Sequence, residues 1–226
     1  MTASAHRVGG GAIRTIRERD GASLERTTPR HPARNHFLLL APEPALSYLR
    51  DLAIALEIDR NVTMVPGGSL DGVLSECLEW HKHAGPFQRM HVVWEWDGCD
   101  VEHMEASWRT VEEAVWEQIA LRPRLIVCRP SFLLWILWHF EDVESEHATP
   151  ESIRKRVEAL LKKTVGAHVS GLHGRTVAHL GDALRRARRE RRLRQDGELG
   201  WPMEVGSDLH ELVLFWYRLA RREWTA

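Results

Sequence analysis

The stretch "HFLLLAPEPALSYLRDLAIALEIDRNVTMV", residues 36–65, decides the fold class. It opens with a short continuous apolar run over residues 36–41 and continues with apolar residues at helical spacing over 46–58. It ends in a short β-branched segment at 61–65. Continuous apolar strands that alternate with helices are typical of a parallel sheet covered on both faces. The stretch therefore predicts a strand–helix–strand unit of an α/β protein.

The same alternation continues downstream. Ser69 is a favourable N-cap and Gly85 a favourable stop for the next helix. The following segments read in turn as strand, helix, strand and helix, at residues 91–96, 102–122, 124–128 and 130–140. We expect an α/β arrangement with an about four-stranded, mainly parallel sheet and helices on both faces.

The chain divides into three regions by composition. Residues 1–34 carry glycines and scattered arginines with little apolar periodicity, so they predict a flexible or peripheral arm. Residues 35–145 form the predicted α/β core. Residues 146–226 predict a helical C-terminal extension that packs on the core, because Thr149 and Pro150 are typical helix-start residues and the last helix has a regular apolar face.

Composition limits the cellular setting. The longest strongly apolar run, "FLLWILWHF" at residues 132–140, is nine residues long, whereas a membrane-spanning helix needs about 20. The first residues do not have the pattern of a secretory signal peptide. Three cysteines lie far apart without metal-ligand spacing. We expect a cytoplasmic protein with no membrane segment.

Acidic residues follow two of the predicted strands. Glu43 comes directly after the first, and Glu95, Asp97 and Asp100 come at or after the end of the third. The carboxyl ends of parallel strands meet at one edge of the sheet, where ligands of open α/β folds bind. Glu95 and Asp97 share a face of an extended strand, and carboxylates are the usual protein ligands of Mg²⁺. The pattern is compatible with a Mg²⁺ or Mn²⁺ site made by these four acids. By itself it favours a solvated loop, because acids are common in the loops between strands and helices.

A basic cluster occupies residues 185–194, "RRARRERRLR", with seven arginines and one glutamate. Arginine side chains bind the phosphates of nucleic acids. The candidate nucleic-acid-binding residues are Arg185, Arg186, Arg188, Arg189 and Arg192. The alternative is a solvated helix end, because positive charge near a helix C-terminus is favoured by the helix dipole.

Histidine and tryptophan residues are abundant, and most have a structural explanation. His139 follows the longest apolar run, which favours a hydrogen-bonded core histidine over a metal ligand or proton carrier. Trp80, Trp116, Trp135 and Trp216 fall in apolar periodicity and are expected in the core.

Several segments resemble the RloB-like family. They are "LSYL" at 46–49, "VVWEWDG" at 92–98, "CRPSFLLWILWHFE" at 128–141 and "GSDLHELV" at 206–213. The third is the most distinctive, because it is similar to the family's run of proline, phenylalanine and tryptophan that ends in His-Phe. The resemblance covers about residues 34–220.

The resemblance implies a Toprim-like nuclease associated with phage defence and abortive infection, often encoded beside an ATPase. It implies that Glu43, Glu95 and Asp97 are the catalytic acids and that Asp100 assists them in holding Mg²⁺ or Mn²⁺. Together with the basic cluster at residues 185–194, this gives the hypothesis that the arginines guide RNA or DNA to these acids. The sequence departs from the family pattern at "APEPA", which has no glycine, at Glu95 in place of aspartate, and at Leu133 in place of glutamate. These departures favour the alternative of a catalytically degenerate Toprim-like subunit that binds a partner ATPase or nucleic acid.

Overall fold

The computed structural model describes residues 36–67, 70–96, 101–143, 148–162, 165, 171–195 and 206–223. The predicted N-terminal arm lies outside these residues, as do the acidic residues Asp97 and Asp100.

A five-stranded sheet forms the centre of the described part of the chain. Its strands are β1 (Phe37–Ala41), β2 (Val62–Pro66), β3 (Arg89–Glu95), β4 (Arg124–Arg129) and β5 (Gly206–Ser207). The spatial order is β2-β1-β3-β4-β5, and the first four strands are parallel. The α/β fold with a mostly parallel sheet is therefore confirmed.

The fifth strand was not predicted. It has two residues, and it pairs antiparallel with β4 through Ser207 opposite Cys128 and Gly206 opposite Arg129. A segment this short has no hydrophobic period, so only its tertiary pairing identifies it. It also positions the last helix, because the Ser207 hydroxyl accepts a hydrogen bond from the backbone N–H of Leu209.

The helices lie close to the predicted positions. They are α1 (Ala45–Ala55), α2 (Leu70–Ala84), α3 (Val101–Ile119), α4 (Leu133–Leu137), α5 (Pro150–Leu161), α6 (Leu172–Thr176), α7 (Leu180–Gln195) and α8 (Leu209–Glu223). Thr149 caps α5 in a reciprocal capping box with Ser152, and Pro150 occupies its first turn, as expected. The apolar run at 132–140 is a much shorter α-helix than predicted, since only Leu133–Leu137 is α-helical.

Two hydrophobic layers cover the two faces of the sheet. Leu39 and Ala41 of β1 point into a layer that includes residues of α1, α4, α5, α7 and α8. Leu38 and Leu40 point into the other layer, with residues of α2 and α3. Successive side chains of a strand alternate between faces, so the apolar run of β1 contributes to both layers.

The aromatic residues divide between core and surface. Trp135 and Trp216 are buried as predicted, but the prediction was wrong for Trp80 and Trp116, which are 36% and 45% exposed. The guanidinium of Arg122 lies 5.1 Å from the centre of the Trp116 ring and shields part of it. His139 is buried and its Nδ1 lies 2.8 Å from the Trp135 carbonyl oxygen, which confirms a hydrogen-bonded core histidine.

No helix in the described part of the chain combines the length and the apolar composition needed to cross a membrane.

Candidate functional sites at the two ends of the sheet

Glu43 lies in the turn between β1 and α1. Its Oε2 accepts hydrogen bonds from the Ser47 hydroxyl at 2.6 Å and from the Ser47 backbone N–H at 3.2 Å. The residue at the N-cap position, Pro44, makes no side-chain capping bond. The Glu43 carboxylate therefore satisfies a backbone donor in the first turn of α1, where negative charge also favours the helix dipole.

Glu95 is the last residue of β3. Its Oε1 accepts a hydrogen bond of 2.8 Å from the backbone N–H of Phe132, which immediately precedes α4. Burial raises the pKa of Glu95, and the Phe132 hydrogen bond opposes that rise only in part. Trp94 and Trp96 on either side pack in the opposite layer of the sheet, as their alternation with Glu95 predicts.

These two glutamates line one cleft of about 510 Å³ at the carboxyl edge of the sheet. We call it the carboxyl-edge cleft; its other lining residues are Pro44, Ser131, Leu133, Pro150, Glu151, Arg154 and Val165. The Ser131 hydroxyl oxygen is buried and has no hydrogen-bond partner among the described residues. The structure thus brings together acids that are 52 positions apart in the chain, with an unpaired hydroxyl beside them.

The described residues supply an incomplete set of metal ligands. No group of three or more His, Cys, Asp or Glu side chains suited to a metal ion occurs among them. Asp97 and Asp100 belong to the undescribed segment that follows Trp96. Mg²⁺ usually binds one or two carboxylates and completes its shell with water and substrate phosphates, so Glu43 and Glu95 fit this minimal mode of binding.

The arginines of α7 form two groups with different roles. The Arg186 side chain is 12% exposed, donates to the Trp138 carbonyl oxygen and pairs with Asp142 at 3.2 Å. Arg189 pairs with the same carboxylate at 2.5 Å. Burial opposes ionisation of Asp142, but these two arginines outweigh it and lower its pKa. Arg186 and Arg189 therefore attach α7 to the segment after α4.

Three further arginines of α7, Arg185, Arg188 and Arg192, are exposed. Arg185 pairs with Asp182 one turn earlier in the same helix, whereas Arg188 and Arg192 are exposed and take part in no ion pair between described residues. Arg188, Arg191 and Arg192 line a second cleft, of about 490 Å³, with the first residues of two strands, Arg89 of β3 and Arg124 of β4. We call it the amino-edge groove, and it was missed from the sequence because its residues come from four separate elements.

The cleft and the groove lie at opposite ends of the parallel strands. Glu95 ends β3 and Arg89 begins it, and six residue steps of about 3.3 Å separate them by roughly 20 Å. The exposed arginines at the end of α7 therefore lie on a different edge of the sheet from Glu43 and Glu95. The expected delivery of a polyanion directly from these arginines to the acids has no support in this arrangement.

Comparisons of the chain with protein-family models, with curated proteins and with solved structures found no match.

Proposed function

We propose that this chain is a cytoplasmic, Toprim-like, metal-dependent nuclease-type effector that cleaves RNA or DNA phosphodiesters in antiphage defence. The observation that carries the proposal is the convergence of Glu43 and Glu95 in the carboxyl-edge cleft. The Toprim-like classification and the defence role rest on the resemblance of the segments at 92–98 and 128–141 to the RloB-like family.

In this proposal the chain supplies ligands and a positioned substrate site. Glu43 and Glu95, with Asp97 and Asp100, would hold Mg²⁺ or Mn²⁺. Such an ion can activate water and stabilise the attacking and leaving oxygens of a phosphodiester displacement. Arg154, which lines the same cleft, offers a guanidinium to the substrate phosphate.

Incubation of the full chain with transfer RNA and with plasmid DNA tests this proposal. Each substrate is incubated with Mn²⁺ and with EDTA, for the wild type and for a Glu95→Ala/Asp97→Ala variant. We expect cleavage by the wild type with Mn²⁺, no cleavage in EDTA, and at least a hundredfold lower rate for the variant, the scale on which single electrostatic contributions to catalysis act.

The matched control removes two carboxylates elsewhere. Glu113 and Glu117 are exposed on α3, so a Glu113→Ala/Glu117→Ala variant has the same change in net charge and should cleave at the wild-type rate. Thermal unfolding of all three proteins separates a loss of activity from a loss of folding. Equal cleavage by the wild type and by the Glu95→Ala/Asp97→Ala variant would disprove the assignment of the acids.

A second candidate function is a non-catalytic Toprim-like subunit that binds nucleic acid or a partner ATPase. It is favoured by Leu133, an apolar residue that lines the carboxyl-edge cleft at the position where the resemblance implies a glutamate. It is also favoured by the hydrogen bonds that already engage both glutamates. Calorimetric titration with Mn²⁺ separates the two candidates, because the subunit predicts no site-specific heat and no cleavage.

A further inference from the structure

The amino-edge groove concentrates positive charge. Six arginines line it, together with His210, Glu211, Leu214 and Phe215, and the arginines are Arg89, Arg124, Arg188, Arg191, Arg192 and Arg218. Glu211 is the one carboxylate in the lining, and it pairs with both Arg124 and Arg191. With His210 neutral, six positive charges and one negative charge leave a formal charge of +5 on the lining.

From this lining we infer that the amino-edge groove is a binding site for the phosphate backbone of single-stranded nucleic acid, separate from the carboxyl-edge cleft. Arginine is suited to this ligand because its planar guanidinium donates paired hydrogen bonds to phosphate oxygens. Like charges in one groove repel one another, and a bound polyanion removes that repulsion. The inference does not depend on whether the carboxyl-edge cleft holds a metal ion.

An extended ligand fits the surface better than a single phosphate. Arg188 and Arg192 also line a neighbouring groove of about 500 Å³, whose other lining residues are Gly181, Leu184, Arg185 and Arg189. The two arginines are one helical turn apart, about 6 Å along the axis of α7. They therefore form a ridge shared by two basic grooves, and a polymer that crosses this ridge contacts both.

Recognition in the groove is directed at phosphates rather than at bases. Phe215 is the aromatic residue of the lining, and the Arg89 guanidinium covers its face at 4.7 Å. The same ring packs against Phe37 in a near-perpendicular arrangement at 5.3 Å and against His91 in a tilted arrangement at 5.6 Å between ring centres. Because its surfaces are already occupied, Phe215 offers no platform for base stacking. We expect binding to depend little on sequence and strongly on salt.

Fluorescence anisotropy with labelled single-stranded RNA and DNA of about 20 nucleotides tests the site, in EDTA and at about 50–200 mM NaCl. The main variant is Arg188→Gln/Arg192→Gln in the full chain. We expect at least a tenfold loss of affinity at the lowest salt concentration. The slope of log affinity against log salt concentration should fall by about 1.4, because each phosphate contact on a single strand contributes about 0.7.

Two further variants control for charge and for folding. Arg60 and Arg109 are exposed and lie outside the lining of the groove, so Arg60→Gln/Arg109→Gln should bind within twofold of the wild type. Arg188→Lys/Arg192→Lys keeps the charge but loses the paired hydrogen bonds, so its affinity should lie between those of the wild type and of Arg188→Gln/Arg192→Gln. Equal losses in the Arg60→Gln/Arg109→Gln and Arg188→Gln/Arg192→Gln variants, or wild-type binding by the latter, would overturn the inference.

A substitution at Glu211 should strengthen oligonucleotide binding rather than weaken it. A Glu211→Gln substitution releases Arg124 and Arg191 from their shared carboxylate, so we expect two- to fivefold tighter binding of the oligonucleotide. A nucleoside triphosphate that binds more tightly than the oligonucleotide would instead make the groove a site for small anions and overturn the polymer assignment.

This experiment is independent of the proposed nuclease activity. Binding is measured without divalent ions, so it does not require the proposed metal site of the carboxyl-edge cleft. A chain that binds but does not cleave retains the groove and loses the nuclease proposal. A chain that cleaves, but whose oligonucleotide binding is unchanged by Arg188→Gln/Arg192→Gln, retains the nuclease proposal and loses the groove.

Discussion

The two edges of the sheet use charge in different ways. At the carboxyl edge, Glu43 and Glu95 both accept hydrogen bonds from backbone N–H groups near the start of a helix, so they contribute to local structure as well as to the cleft. At the amino edge, Arg188 and Arg192 extend into solvent without a partner among the described residues. Charged side chains that hydrogen-bond within the fold are held in position, but the loss of those bonds destabilises the protein. Exposed charged side chains without such bonds are available to a ligand.

The largest expected effect is that of acidification, through two buried histidines, His91 in β3 and His139 after α4. Burial lowers the pKa of His91 and of His139 to about 4. Arg89 adds to the effect at His91, while at His139 hydrogen bonds to backbone partners oppose it and the neighbouring His173 and His179 add to it.

The direction of the pH effect follows from these pKa values. An unfolded histidine has a pKa near 6.5, so between pH 6.5 and 4 the unfolded chain binds more protons than the folded one. The free energy of unfolding should therefore fall as the pH is lowered through this range, by up to roughly 3 kcal/mol for each histidine. Urea unfolding at several pH values measures it.

Substitution of each histidine assigns the effect. His91→Gln and His139→Gln should each flatten the dependence of stability on pH, while His83→Gln, an exposed substitution on α2, should leave it unchanged. If neither buried substitution alters the slope, the carboxylates rather than the histidines determine the acid sensitivity.

Substitutions in the two groups of arginines on α7 should have different effects on the free energy of unfolding. Arg186→Ala removes a mostly buried side chain with hydrogen bonds to Trp138 and Asp142, and we expect a loss of about 2–3 kcal/mol in the free energy of unfolding. Arg188→Ala should change that free energy by less than about 0.5 kcal/mol, as is usual for exposed positions. Oligonucleotide binding should show the reverse order, with the larger loss for Arg188→Ala.

This comparison is contradicted if Arg186→Ala is as stable as the wild type and Arg188→Ala is the destabilised variant. Arg185→Ala serves as an intermediate control, because Arg185 is exposed but pairs with Asp182 in its own helix. An exposed pair of this type contributes at most about 1 kcal/mol.

The sequence predicts the carboxyl edge better than the amino edge, for a topological reason. The alternation of strands and helices places the ends of β1 and β3 side by side, so Glu43 and Glu95 can be assigned to one edge without coordinates. The amino-edge groove combines Arg89, Arg124 and Arg218 with the end of α7, and no local pattern links these positions. Such a surface depends on how α7 and α8 pack on the sheet.

The same reasoning explains the errors in helix length and burial. A segment that is apolar on every side, such as residues 132–140, has no hydrophobic period that marks where its helix ends. Trp116 occurs in an apolar pattern on α3, yet it is partly exposed beside Arg122. Periodicity identifies the buried stripe of a helix but leaves its borders undetermined.

The smallest expected effect concerns Glu95. Its substitution tests whether the carboxylate is required by the fold or is available to a cation. Because burial raises the pKa of Glu95, the folded state favours its protonated form, and the ionised form is less favourable at neutral pH. Glu95→Gln keeps an oxygen that can accept the hydrogen bond from Phe132 and removes the charge. Without divalent ions at pH 7.5, we expect the variant to be more stable by on the order of 1 kcal/mol, the scale of one buried polar contact.

The difference in stability between Glu95→Gln and the wild type should depend on pH and on Mn²⁺. As the pH is lowered and the wild-type carboxyl becomes protonated, the advantage of Glu95→Gln should disappear. With Mn²⁺ the wild type gains stability through binding, and the variant should gain less. Glu43→Gln is the matched control: it should lose rather than gain stability without metal, because the Glu43 charge favours the start of α1. If Glu95→Gln is the less stable protein in EDTA at pH 7.5, the carboxylate is required by the fold itself, and its presence in the cleft is no longer an argument for a cation.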